Sequence, residues 1–114
     1  MRGKLGDKIR LQHIKESIEE INSYILGKDF NTFMDNSMMR FACVKQLEII
    51  GEAAKHLSEE LKENFSEVEW NQITGMRNVF VHEYFGIDTS IVWQIIINDI
   101  PNLKEKIDEI HNSF

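Results

Sequence analysis

Cysteine, proline and membrane-length apolar runs are all scarce in this chain of 114 residues. The single cysteine, Cys43, has no second thiol in the chain to pair with. Its apolar, helical surroundings read as those of a buried thiol in a reducing compartment. The longest pure aliphatic run is Ile95-Ile96-Ile97, far short of the ~18 residues that a membrane span requires. The first residues, Met1-Arg2-Gly3-Lys4-Leu5-Gly6-Asp7-Lys8, lack the apolar stretch of a secretory signal, so a cytoplasmic location is expected. Gly-rich phosphate loops, Cys/His metal spacings and Ser-centred triads are missing too, and the expectation is neither a metal nor a cofactor.

Positive charge is also in short supply. Lys and Arg number 13 against 19 Asp and Glu, a net charge of −6. That balance disfavours a broadly basic surface for coating nucleic acid, and neither DNA nor a membrane is an expected partner. The distribution is uneven, however. Arg2, Lys4, Lys8 and Arg10 face only Asp7 in the first ten residues, which leaves room for a local phosphate site.

What the chain has in quantity is helical periodicity. Leu11, Ile14, Ile18, Ile21 and Ile25 recur at spacings of three and four and form one apolar stripe. Asp7 is the expected N-cap of this helix, and Gly27 its left-handed terminator. A second helix is expected from about Asp35 to Leu57, with Phe41, Val44, Leu47, Ile50, Ala54 and Leu57 on one face. Gly51, Ala53 and Ala54 there would let a neighbouring helix approach closely. Residues 58–65 read as a helical turn. Ser66-x-x-Glu69 is a capping-box pattern opening a third helix through Trp70, Ile73 and Met76 towards His82. Gly75 within it suggests a bend or a close contact. Asp88 is expected to cap a fourth helix containing Ile91, Val92, Trp93, Ile95 and Ile96, which Pro101 should kink or restart. The expected fold is all-α, an up-down bundle of four to five helices in a single domain over residues 1–114. Phe33, Met34, Met38, Met39, Phe41, Phe80, Tyr84, Phe85 and Trp93 exceed what so thin a bundle can hide, and a homodimer would bury the excess.

The stretch Gly75-Met76-Arg77-Asn78-Val79-Phe80-Val81-His82-Glu83-Tyr84-Phe85-Gly86-Ile87-Asp88 sets Arg, Asn, His and Tyr among apolar residues. At 100° per residue Asn78 and His82 share a helix face, and Arg77 and Tyr84 lie nearly in line. Arg77 and His82 are offset by 140° on that wheel, a gap that a second copy across a two-fold axis would relax. An arginine supplies a permanent forked charge for a phosphate and for the extra charge of a phosphorane transition state. A histidine can take the 2′-OH proton or protonate the leaving 5′-oxygen. Together they suffice for metal-independent RNA cleavage by internal transesterification. An Arg–carboxylate pair and a hydrogen-bonded His with purely structural roles would fit the same spacing.

Arg77-x-x-x-x-His82-x-Tyr84, with Asn78 directly after the Arg, resembles the signature of HEPN-domain proteins, in particular HepT-like toxins of the HepT/MntA toxin–antitoxin type. Leu47-Glu48-Ile49-Ile50-Gly51-Glu52-Ala53-Ala54-Lys55, Trp70-x-x-Ile73-x-Gly75-Met76-Arg77-Asn78, His82-Glu83-Tyr84-Phe85-Gly86-Ile87-Asp88, Val92-Trp93 and Asp99-Ile100-Pro101-x-Leu103 match in order and spacing. The resemblance implies a HEPN-like helical homodimer, with higher assembly left open, whose motif helices line a cleft at the dimer interface. It implies an endoribonuclease toxin acting on tRNA or mRNA, with Arg77 and His82 as the catalytic pair and Asn78 supporting. Tyr84 matches the tyrosine to which a cognate MntA-like nucleotidyltransferase antitoxin adds AMP. Such a group would set a negative phosphate and a bulky base two residues from His82 and repel RNA.

Two alternatives stand beside this reading. Behind the ribonuclease, the second reading is a non-catalytic, nucleotide- or substrate-binding accessory subunit of a nucleotidyltransferase, with Arg77 and His82 gripping a phosphate, and the third is a plain dimeric scaffold. Glu48, Glu52 and His56, four apart, superficially suggest a metal site. With no second such element they read as a solvated face on which Glu52 borders the cleft. His13 and His111 read as surface residues, and the run Glu59, Glu60, Glu63, Glu67, Glu69 as solvated charge.

Overall fold

The computed structural model describes residues 2–78 and 89–114, with side chains from Leu5 onward. Every regular element among them is helical, as the apolar spacings require. Helix α1 (Arg2–Ile25) ends in a turn where Gly27 takes φ 71°, a left-handed conformation that glycine adopts without strain. Asp29 then caps α2 (Phe30–Asp35), its side chain accepting from Thr32 N. Asn36 caps α3 (Ser37–Lys55) in the same way through Met39 N. Two short helices follow, α4 (Glu59–Asn64) and α5 (Trp70–Gly75), the latter continuing as a single 3₁₀ turn, Met76–Asn78. After the undescribed segment, α6 (Thr89–Gln94) runs through a π turn, Ile95–Asp99, into α7 (Ile100–Asn112).

The three long rods pack around one core. Leu11, Ile14, Ile18 and Ile21 of α1 meet Val44, Leu47, Ile50 and Ala54 of α3, and Ile100, Leu103, Ile107 and Ile110 of α7 close the other side. All of these are buried. Each buried Leu or Ile stabilises the fold by about 1.5–3 kcal/mol. Trp93 of α6 packs on Phe33 and Phe30 of α2, with ring centroids 5.0 and 6.3 Å away. Cys43 is buried in the core, and burial pushes its thiol up to about 12. It is therefore a thiol at neutral pH and no nucleophile.

The structure corrects several sequence expectations. The all-α architecture is as expected, and short α2 is an element that the sequence reading did not separate out. Asp7 does not begin a helix, because α1 already starts at Arg2. Its buried carboxylate reaches across the fold instead, accepting from Ser58 N at 2.8 Å and from Ser58 Oγ at 2.5 Å. Ser58 is itself the N-cap of α4, its Oγ accepting from Leu61 N. Asp7 thus pins the start of α4 to α1. The Ser66–Glu69 capping box is not formed: α5 begins at Trp70, and Glu69 makes no side-chain capping bond. Trp70 Nε1 donates to Phe65 O at 3.1 Å and draws this segment into a tight turn.

Phe33 is fully buried, so it is not part of any apolar surplus, and Phe41 lies on the outer face of α3 rather than in its core stripe. Met34, Met38 and Phe41 are exposed; Phe80, Tyr84 and Phe85 lie outside the described residues, as does Asp88. Pro101 does restart the helix. A proline ring crowds the carbonyl four residues back, here Ile97, and the π turn ending just before α7 opens the backbone at that point.

Replacing Asp7 by Ala strands the Ser58 donors. Urea unfolding should show a loss of about 1–3 kcal/mol, and a smaller loss for Asp7→Asn, which keeps one acceptor. Wild-type midpoints in both variants would contradict the tether.

Candidate active site

Arg77 sits on the 3₁₀ turn Met76–Asn78, where α5 has just ended at Gly75. The 100° spacing assumed through Arg77 and His82 therefore does not apply at Arg77, because a 3₁₀ turn advances about 120° per residue. Gly75 makes no close approach, since a Cβ there would meet nothing within 4 Å. It stands at the change of helix type from α to 3₁₀.

The close approach lies on the other side of the contact, at Gly51 of α3. A Cβ on Gly51 would press into the backbone nitrogen of Arg77, with Thr74 O at 2.9 Å and Arg77 Cβ at 3.0 Å. Only a hydrogen fits there. Buried Met76 plugs the same turn into the core beside α3. The backbone of Arg77 is thus wedged against α3 and its side chain runs outward, a third exposed. There Arg77 Nη1 stands 3.7 Å from Glu52 Oε2, while the other carboxylate oxygen of Glu52 lies 3.1 Å from His56 Nε2. One α3 carboxylate holds both groups. A pair this exposed adds little to stability; its effect is to fix where the guanidinium points.

Asn78, next along, is exposed. His82 and Tyr84 lie outside the described residues. The structure thus brings Arg77 together with Glu52 and His56, two residues that the sequence placed on a solvated face. Glu52 was expected at the border of the cleft; the spacing gave no sign that His56 would share its carboxylate with Arg77, 25 positions beyond Glu52. Glu48 turns away to Lys45, 3.6 Å off. No group of three metal-ligating side chains occurs among the described residues. Beside this cluster, α1 and α3 leave a groove lined by Gly6, Ile9, Arg10, His13, Ile49 and Glu52 among others.

A family model described as Ribonuclease HepT-like matches residues 14–110. The chain belongs to the HepT-like ribonuclease family. Among its relatives, a Methanocaldococcus jannaschii protein named as a candidate RNase is 37% identical over 101 residues, covering 89% of this chain and 93% of that one. Ribonuclease HepT of Thermococcus cleftensis, also a candidate by its name, is 35% identical over 107 residues, 94% of this chain and 97% of that protein. A second M. jannaschii relative is 39% identical over 90% of this chain, yet the chain spans only 46% of it; its name joins a gamma-glutamylcyclotransferase to a candidate RNase. No solved structure matches. In this HepT-like chain the matched region takes in α3, the 3₁₀ turn and α7, so the Gly51–Arg77 contact falls inside it.

Gly51→Ala should cost about 1–3 kcal/mol in urea unfolding, because the methyl meets backbone that cannot step aside. An unchanged midpoint would show that the 3₁₀ turn moves freely against α3.

Proposed function

We propose that the chain is a metal-independent endoribonuclease with Arg77 and His82 as its catalytic pair. The observation that carries this reading is the wedged backbone and tethered guanidinium of Arg77, in a chain of a ribonuclease family. A guanidinium held in advance costs no reorganisation when charge develops on the phosphorane. In the proposed step His82 removes the 2′-OH proton, the 2′-oxygen attacks phosphorus, and the bond to the 5′-oxygen breaks. The imidazolium so formed gives its proton to that oxygen, which releases a 5′-OH strand and leaves a 2′,3′-cyclic phosphate. Arg77 stabilises the extra negative charge, and Asn78 supports it beside the substrate. No group beyond the two side chains is required.

The toxin role, the homodimer and the partner belong to the same proposal. Two chains facing each other across the motif would place two Arg77 and two His82 in one cleft. Met38 and Phe41, exposed on the outer face of α3 that also carries Glu52, supply apolar surface for that pairing. A cognate MntA-like nucleotidyltransferase would silence the cleft by adding AMP to Tyr84. The setting is cytoplasmic, and the substrate is tRNA or mRNA.

The test is total tRNA incubated in EDTA with wild-type and His82→Ala protein. Wild type should yield fragments ending in 2′,3′-cyclic phosphate, and His82→Ala should lose at least about a hundredfold in rate, the usual worth of a positioned acid–base group. Equal cleavage by both would overturn the assignment.

A further inference from the structure

The groove between α1 and α3 holds features that the proposed chemistry leaves unused. Its α1 wall is Gly6, Ile9, Arg10 and His13, and its α3 wall is Ile49, Glu52, Ala53 and His56. Glu52 is common to the groove and to the Arg77 cluster, so a ligand lying in the groove would end beside Arg77. The carboxylate of Glu52 is already engaged by Arg77 and His56, and among the described residues no other acidic side chain lines the walls.

Arg10 has a different standing. Among the described residues no carboxylate pairs with it. Its guanidinium lies back along α1 over Gly6, with Nη1 2.7 Å from where a Cβ would be. A side chain at position 6 would push it off the groove wall. In a chain of net charge −6, an unpaired arginine laid into a groove with two imidazoles is a local concentration of phosphate-binding groups. Ile9 and Ile49 between them offer flat apolar surface on which a base can rest.

We propose that this groove is a second phosphate subsite, binding the single-stranded RNA backbone next to the phosphate at Arg77, with Arg10 as its anchoring charge and His13 and His56 as donors. The inference rests on the ribonuclease reading and deepens it: the substrate is a strand long enough to run from the reactive phosphate across α3 to α1. Charge favours RNA here over a second copy of this acidic chain, since the wall is cationic once Glu52 is engaged.

The test uses a labelled single-stranded RNA of about 20 nucleotides, with wild type, Arg10→Ala, Arg10→Lys and His13→Ala compared for KM, kcat and the salt dependence of binding. Arg10→Ala should raise KM about tenfold, the worth of one charge-assisted contact, with kcat within about twofold. Its log–log salt slope should be shallower by about 0.7, one phosphate contact on a single strand. Arg10→Lys should recover part of the loss, and His13→Ala should show a smaller rise in KM. Wild-type cleavage with unchanged KM and salt slope in Arg10→Ala would overturn the subsite alone. A fall in kcat without a rise in KM would overturn it too, by placing Arg10 in the chemistry or in the fold. A change in sedimentation of Arg10→Ala would assign the groove to a second copy of the chain. Failure of wild type to bind or cut any RNA would overturn the ribonuclease reading and the subsite with it.

Discussion

The position of Arg77 depends on the absence of a side chain at Gly51. Helix α3 packs on α1, α2, α5 and the 3₁₀ turn, and at Gly51 its backbone meets that of Arg77 with no room for a methyl. Close-packed backbones cannot slide as side chains can. The location of the guanidinium is thus set by main-chain contact and by the buried plug of Met76, and its direction by Glu52. Around that contact the rest of the fold acts as a frame, with α1 packed along α3, α7 backing α1, and Asp7 anchoring the segment that leads to α5.

Electrostatics follow from the same geometry. A chain of net charge −6 repels a polyanion except where its cations are collected. Arg10 lines the α1–α3 groove, and Arg77 reaches Glu52, the one carboxylate on that lining among the described residues. In the proposed reading favourable contact with RNA is confined to that stretch, and attraction beyond it is screened within about 8–10 Å at ordinary salt. The acidic run of α4 and the segment after it stands outside that stretch. A weak, salt-sensitive encounter that becomes productive only in the groove is the behaviour such a distribution favours.

Much of the fold was legible because burial on a helix repeats every three to four residues. The α1 stripe, Gly27, the helix over 59–64 and the restart at Pro101 all follow from local rules. The misses share a cause. Asp7 and Ser58 are 51 positions apart, so a residue with the look of an N-cap satisfied a different helix. Phe41 continues the α3 periodicity yet is half exposed, because the face that meets α1 is the one carrying Val44, Leu47 and Ile50. At the candidate site the small residue at 51 was legible as a packing signal, but its partner was not. Glu52 was legible as a cleft-border residue, whereas His56 looked merely solvated until the fold set Arg77 and His56 on the same carboxylate.

The most direct test of the central claim, that α3 backbone contact sets the arginine for chemistry, is single-turnover RNA cleavage. Wild type, Arg77→Ala and Gly51→Ala would be compared in EDTA, well below the unfolding temperature of each. The account predicts that Gly51→Ala, though folded, is slower by about tenfold or more, since small displacements of a positioned group are costly in rate, and so moves towards Arg77→Ala. Cleavage by Gly51→Ala at the wild-type rate, with Arg77→Ala inactive, would contradict it.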